Sequence, residues 1–321
     1  MSTSVLLRAR YGNDEPLHFV STMKINQGQI QFTACAARQA FTLVELLVVC
    51  AIIVILAGLA LFVVSSVAHS SKVTKTRSTI QKLDAAMRQI FETYEDRFQE
   101  IKIRIAKDYP ATPGESEEAT RERQAAIAAH YIRDLMRMEM PQNGEEVQLE
   151  PLKLEYKGTD YPPVEDSLSL LEYYRNTTVN TTPSAALLFL IIQNLNPEAL
   201  EAFHGSEVAD TDGDGLLEFV DAWGKPIRFL RWAPAFSDSD IQLKSFPDPT
   251  DERTGAVGWF LYPLIYSAGA DGKYGLEDDP AQLPMVGDDG ILDPFKFPFG
   301  EPDGTRSHFD NIHNHQWYRN F

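Results

Sequence analysis

Cysteine is nearly missing from this chain, with only Cys35 and Cys50 in 321 residues. Cys50 lies inside a long apolar run and Cys35 upstream of it, so a disulfide joining them is not expected. A disulfide scaffold and a cysteine-based zinc site are therefore set aside. Positive charge is also scarce: 29 Lys and Arg stand against 46 Asp and Glu, a formal net charge of −17. A phosphate backbone would be repelled by such a surface, which argues against a nucleic-acid partner. There is no glycine-rich phosphate loop, no Gly-x-Ser-x-Gly elbow and no Cys-His pair, so no enzyme is expected. Acid pairs such as Asp288 and Asp289 read as ligands or turns, and no internal repeat is found. What the chain does have is enough apolar material for a packed core, at 44% hydrophobic and 11% aromatic residues.

From Leu46 to Val64 there are 19 consecutive residues without a charge. At ~1.5 Å per residue this approaches the ~30 Å hydrocarbon thickness of a bilayer. A secretory signal core is usually about 7–15 residues and starts near the N-terminus, so the run reads as a membrane helix. Glu45 stands at its entrance, where a carboxylate costs about 2–3 kcal/mol unless it reaches the interface. Beyond the run, Ile80, Leu83, Met87, Ile90, Phe91, Tyr94, Phe98, Ile101 and Ile105 recur in steps that make one helical stripe. With no proline before Pro110, a single helix is expected over 41–107, its membrane half 41–64 and its amphipathic half 65–107.

The following stretch, 108–205, is helix-rich. A Pro/Gly loop at 108–114 precedes a helix over 115–140, with Ile127, Tyr131, Leu135 and Met138 on one face. Residues 145–158 alternate like a strand, a further helix starts at Pro183, and a short one runs from Pro197 towards Gly205. From Pro226 the pattern turns to strands, Ile227–Trp232 and Trp259–Tyr266, in a small antiparallel sheet on the long helix. The fold class expected is α+β, with 206–321 as a β region carrying acidic loops. His308, His313 and His315, in the loop-rich tail, read as incidental surface histidines rather than a metal site.

Asp210, Asp212, Asp214, Glu218 and Asp221 fall at positions 1, 3, 5, 9 and 12 of an EF-hand-type loop, with Gly215 at position 6. The Leu216 carbonyl would supply position 7, and calcium is the cation such oxygens suit. A strand rather than a helix is expected to follow. Asp221 could instead belong to the next motif, Asp221-Ala-Trp-Gly-Lys-Pro226.

The segment Ala40-Phe41-Thr-Leu-Val-Glu45, followed by its apolar run, resembles the processing site of type IV prepilins and type II secretion pseudopilins. In that family a membrane peptidase cuts before the Phe and methylates the new N-terminus. The resemblance implies a leader at 1–40, cleavage between Ala40 and Phe41, and pairing of Glu45 with the Phe41 amine of a neighbouring subunit. Ala40 replaces the Gly usual in the family, and Met23 is an alternative start. The Asp221–Pro226 turn and Tyr266-Ser-Ala-Gly-Ala-Asp271-Gly resemble the family's major pseudopilin, the G subunit. In that protein such a loop holds calcium, which here implies ligands at Asp271 and either Asp278 with Asp279 or Asp310. Against that family the 108–205 stretch reads as an insertion. The resemblance further implies a single-pass inner-membrane protein, its globular part outside the cytoplasm, that then enters a filament. The partners implied are other pilin-like subunits, the prepilin peptidase and the assembly machinery. The function expected is a structural filament subunit stabilised by calcium; the alternative is a minor tip subunit that binds a secreted substrate or a surface through the insertion.

Overall fold

A computed structural model describes residues 42–255, 258–278, 286–296 and 299–315, the side chains of 59–66 excepted. Ala40, Phe41 and Asp279 thus lie outside the described residues. The chain divides into two compact units, Met1–Leu61 and Phe62–Phe321.

One helix, α1, runs over Leu43–Asp108, 66 residues, within a residue or two of the expected span. Its start is a reciprocal cap. The Thr42 hydroxyl accepts the Glu45 amide at 3.2 Å, while Glu45 Oε2 accepts the Thr42 amide at 2.9 Å and its hydroxyl at 2.8 Å. Its end falls just before Pro110, which has no N–H to continue the ladder. In the first unit the apolar side chains stand bare, with Val54 70% and Leu47 62% exposed. Among the described residues no helix is long and apolar enough to cross a membrane, and part of the expected span, 59–64, has its side chains outside that description.

In the second unit all nine residues of the expected stripe, Ile80 to Ile105, are buried. They join one hydrophobic cluster with the rest of the unit. Helix α2, Glu117–Glu139, is N-capped by Ser116, with Glu117 and Glu118 in its positive first turn. Every residue from Ala126 to Glu139 is buried, so α2 is a central helix and not one with a single apolar face. The charged residues of this buried stretch are tolerated because each finds a partner. Asp134 holds Arg137 at 2.6 Å, Arg133 meets Asp251 at 2.8 Å, and Glu139 accepts Arg97 at 2.6 Å and the Tyr94 hydroxyl at 2.7 Å.

Next come α3 (Gly144–Gln148), the hairpin of β1 (Leu154–Tyr156) and β2 (Thr159–Tyr161), α4 (Leu168–Thr177) and α5 (Ser184–Leu195). The alternation over 145–158 predicts a strand; the structure has α3 at its start and β1 towards its end. Asn143 caps the α3 turn at the Glu146 amide, and Glu146 points inward to pair with Arg231 at 2.6 Å, both fully buried. The α4 helix has no counterpart in the sequence reading. A 3-10 turn at Pro197–Ala202 precedes the hairpin of β3 (Val208–Ala209) and β4 (Glu218–Phe219). Finally β5 (Arg228–Leu230), β6 (Leu264–Ser267) and β7 (Ile312–His313) form an antiparallel sheet in that order. The expected strand Trp259–Tyr266 is thus shortened and shifted, since Pro263 cannot donate to a ladder. Both α2 and α5 share the cluster with α1 and this sheet, so the 108–205 stretch is built into the core. The class is α+β.

Removing Glu146 would strand the buried Arg231 guanidinium. Glu146→Ala is expected to destabilise the protein by about 3–5 kcal/mol. Glu150→Ala, which removes a carboxylate that is 82% exposed beside Arg175, should change stability by less than about 1 kcal/mol. Urea unfolding of the full chain in detergent micelles checks both; equal effects would contradict the assignment.

Candidate functional site

The acidic loop links β3 to β4. Asp210, Asp212, Asp214 and Glu218 each offer a carboxylate oxygen within 4.8 Å of the others. The loop folds this way because its own amides turn inward onto the acids. Asp210 accepts Gly213 N at 2.7 Å and Gly215 N at 3.1 Å, and Asp214 accepts Leu216 N at 2.8 Å. Gly213 and Gly215 supply the left-handed backbone (φ 79° and 91°) that these turns require. The three aspartates are exposed, whereas Glu218 is 1% exposed. Its Oε2 accepts Thr211 N at 2.8 Å and its Oε1 has no hydrogen-bond partner. Burial, together with the nearby Asp212 and Asp214, raises the Glu218 carboxyl above its usual range. As expected, a strand follows the loop.

Asp221 is placed elsewhere. Its Oδ1 accepts Trp223 N at 2.8 Å and Lys225 N at 2.9 Å, and its Oδ2 accepts the Ser267 hydroxyl at 2.7 Å. It therefore ties the Asp221–Pro226 turn to the end of β6, and the fourth acid of the acidic group is Glu218.

The second loop, Ser267–Gly275, does not gather its expected acids into one group. Asp278 pairs with Arg228 at 2.7 Å and accepts the Tyr266 hydroxyl at 3.1 Å. Arg228 is held there by stacking on Tyr274, 3.9 Å from the ring centre. Asp271 is exposed and its Oδ1 accepts Lys273 N. Asp310 does reach the loop: its Oδ2 accepts the Asp271 amide at 2.9 Å, and Asn311 donates to the Tyr274 carbonyl. Gly269, at φ 66°, lets this segment close in, since a side chain there would collide with Asp310. Among the described residues, the group of three or more acids within ligand distance of one another is that of the 210–218 loop.

Glu207 and Asp84 escaped the sequence reading. Burial works to raise Glu207, but hydrogen bonds from His204 N, Lys82 and Thr79 outweigh it and hold the carboxyl low. Asp84, buried on α1, accepts Asn314 Nδ2 at 2.8 Å. No local signal marks these contacts, because Lys82, Thr79 and Asn314 are remote in sequence from the acids they meet.

Of the tail histidines, His308 is half-buried, while His313 and His315 are not incidental surface groups. His315 is fully buried and His313 is partly so, and both rings lie against Phe236. Burial lowers His313 to about 4 and His315 to about 3. His130, inside α2, is lowered for the same reason.

A family model described as the prokaryotic N-terminal methylation motif matches residues 35–61. No curated protein matches the chain, and no solved structure matches it. The motif supports a type IV pilin-like or pseudopilin protein. It implies processing by prepilin peptidase, anchoring in a membrane before assembly, and assembly with other pilin subunits.

The three histidines give an acid-sensitive fold. Unfolded histidine titrates near ~6.5, so below that pH the unfolded chain binds protons that the folded one refuses, and stability falls as pH falls. Glu218 acts in the opposite sense, but it is one group against three. The melting temperature of the full chain is expected to drop from about pH 7 to about pH 5, before most carboxylates titrate. A flat profile over that range would contradict the buried neutral histidines.

Proposed function

We propose that the protein is a structural subunit of a type II secretion pseudopilus or type IV pilus-like filament, close in kind to the major pseudopilin, whose folded domain is stabilised by calcium in its acidic loop. The observation that carries the filament reading is the methylation motif at 35–61 at the head of one long helix. Cleavage between Ala40 and Phe41 releases the helix from its leader, and the bare apolar surface of the first unit is what a bilayer, and then neighbouring helices, would cover. Within the chain Glu45 completes the Thr42 cap. In a filament its negative charge pairs with the Phe41 amine of a neighbour, because an unpaired carboxylate in a low-dielectric setting is penalised until a cation meets it. This fixes the axial register of subunits.

The alternative, a tip subunit that binds a substrate through the 108–205 stretch, would draw on a surface that is polar for the most part. Much of α2 and α5 is buried in the core, and the large apolar side chains exposed in that stretch are Leu168, Tyr173 and Val179, among the described residues.

Two measurements test the proposal. The mature protein should begin at N-methylated Phe41, read by N-terminal peptide mass; retention of Met1 or Met23 in the assembled form would sink it. Glu45→Gln keeps a side chain able to cap the helix but removes the charge. It should leave insertion and cleavage intact while filament incorporation falls sharply. Normal incorporation would reduce Glu45 to a helix cap.

A further inference from the structure

The acidic loop sits at the tip of the β3–β4 hairpin, and the base of the same hairpin grips α1. On the incoming side Glu207 accepts the Thr79 hydroxyl at 2.5 Å and Lys82 Nζ at 2.8 Å. On the outgoing side the Ala222 amide donates to the Thr76 hydroxyl at 3.0 Å. Thr76 and Thr79 are both buried, and Thr76, Thr79 and Lys82 follow one another at three-residue steps along one side of the helix. The strands between tip and base are two residues each, too short to hold the hairpin by pairing alone.

The tip asks for a cation on two counts. Four carboxylates within 4.8 Å of one another repel. Independently, Glu218 Oε1 is buried and unpartnered in the same group, which is costly for a carboxylate oxygen. We propose that Asp210, Asp212, Asp214 and Glu218 hold a calcium ion whose binding clamps the hairpin base onto α1 at Thr76–Lys82. The inference rests on the calcium reading above, and goes beyond it by naming Glu218, not Asp221, as the closing ligand and α1 as the element controlled. Four carboxylates and the Leu216 carbonyl leave the remaining positions of a 6–8 oxygen shell to water or to a second Glu218 oxygen. Magnesium, which demands a tighter octahedron, fits this open loop poorly. Ion binding supplies the missing partner for Oε1, fixes Ala209 against Glu218 in register, and so sets the positions of Glu207 and Ala222.

The test uses the full chain in detergent micelles, with calcium chloride titrated calorimetrically and amide hydrogen exchange read by mass spectrometry. Calcium should bind and slow exchange of peptides covering 76–83, with magnesium doing neither. Glu218→Gln should weaken calcium affinity by about 10–100-fold, on the scale seen when a metal site loses a supporting group, while Asp221→Asn leaves it within about twofold, as for a group outside the ligand shell. Glu207→Gln should keep the affinity and lose the slowed exchange. No calcium binding would overturn the calcium reading and the clamp together. Binding with unchanged exchange at 76–83 would overturn the clamp alone. Equal loss of affinity in Glu218→Gln and Asp221→Asn would overturn the ligand assignment.

Discussion

Burial of one stripe on α1 is the constraint on which the rest of the second unit depends. A helix of 66 residues cannot bury its apolar side against itself, so nine large residues from Ile80 to Ile105 need a surface to lie on. That surface comes from segments far apart in sequence: α2, α5 and the β5–β7 sheet. Each arrives with its own polar groups, and burial forces these into pairs. Arg97 and Tyr94 of α1 meet Glu139 of α2, and Asp84 of α1 meets Asn314 at the end of β7. The ion pairs follow from the packing; the apolar stripe drives it.

The hairpin of the acidic loop joins this packing through β4, whose Phe219 is fully buried against Phe189 of α5 and Phe203. The loop at its tip is polar, and the hairpin's attachment to α1 runs through hydrogen bonds with Thr76, Thr79 and Lys82. Exposed loops open locally at lower cost than the buried strands that carry them. For such a loop a modest binding energy is enough to change the population of a closed form. The second loop is different: Asp221, Ser267, Asp310 and Asn311 tie it to the sheet through the chain's own donors and acceptors.

The chain's own periodicity and spacing determined a good deal. The run of α1, the alignment of nine apolar residues on one of its sides, the α+β class and the clustering of Asp210, Asp212, Asp214 and Glu218 all follow from patterns within a few residues, where steps of three and four or alternate oxygens have one geometric outcome. The methylation motif was legible for the same reason: it is a contiguous string. What only the tertiary structure decided are the partners. Asp221 fits position 12 of a loop by spacing, but Ser267 and two nearby amides claim it. Asp278 looks like a ligand until Arg228 is placed beside it. The apparent strand at 145–158 begins as a helix because Glu146 turns inward to Arg231. His315 reads as a surface residue until the β7 tail folds under Phe236. In each case a buried charge or polar group is satisfied by a residue remote along the chain, and no local pattern encodes which one.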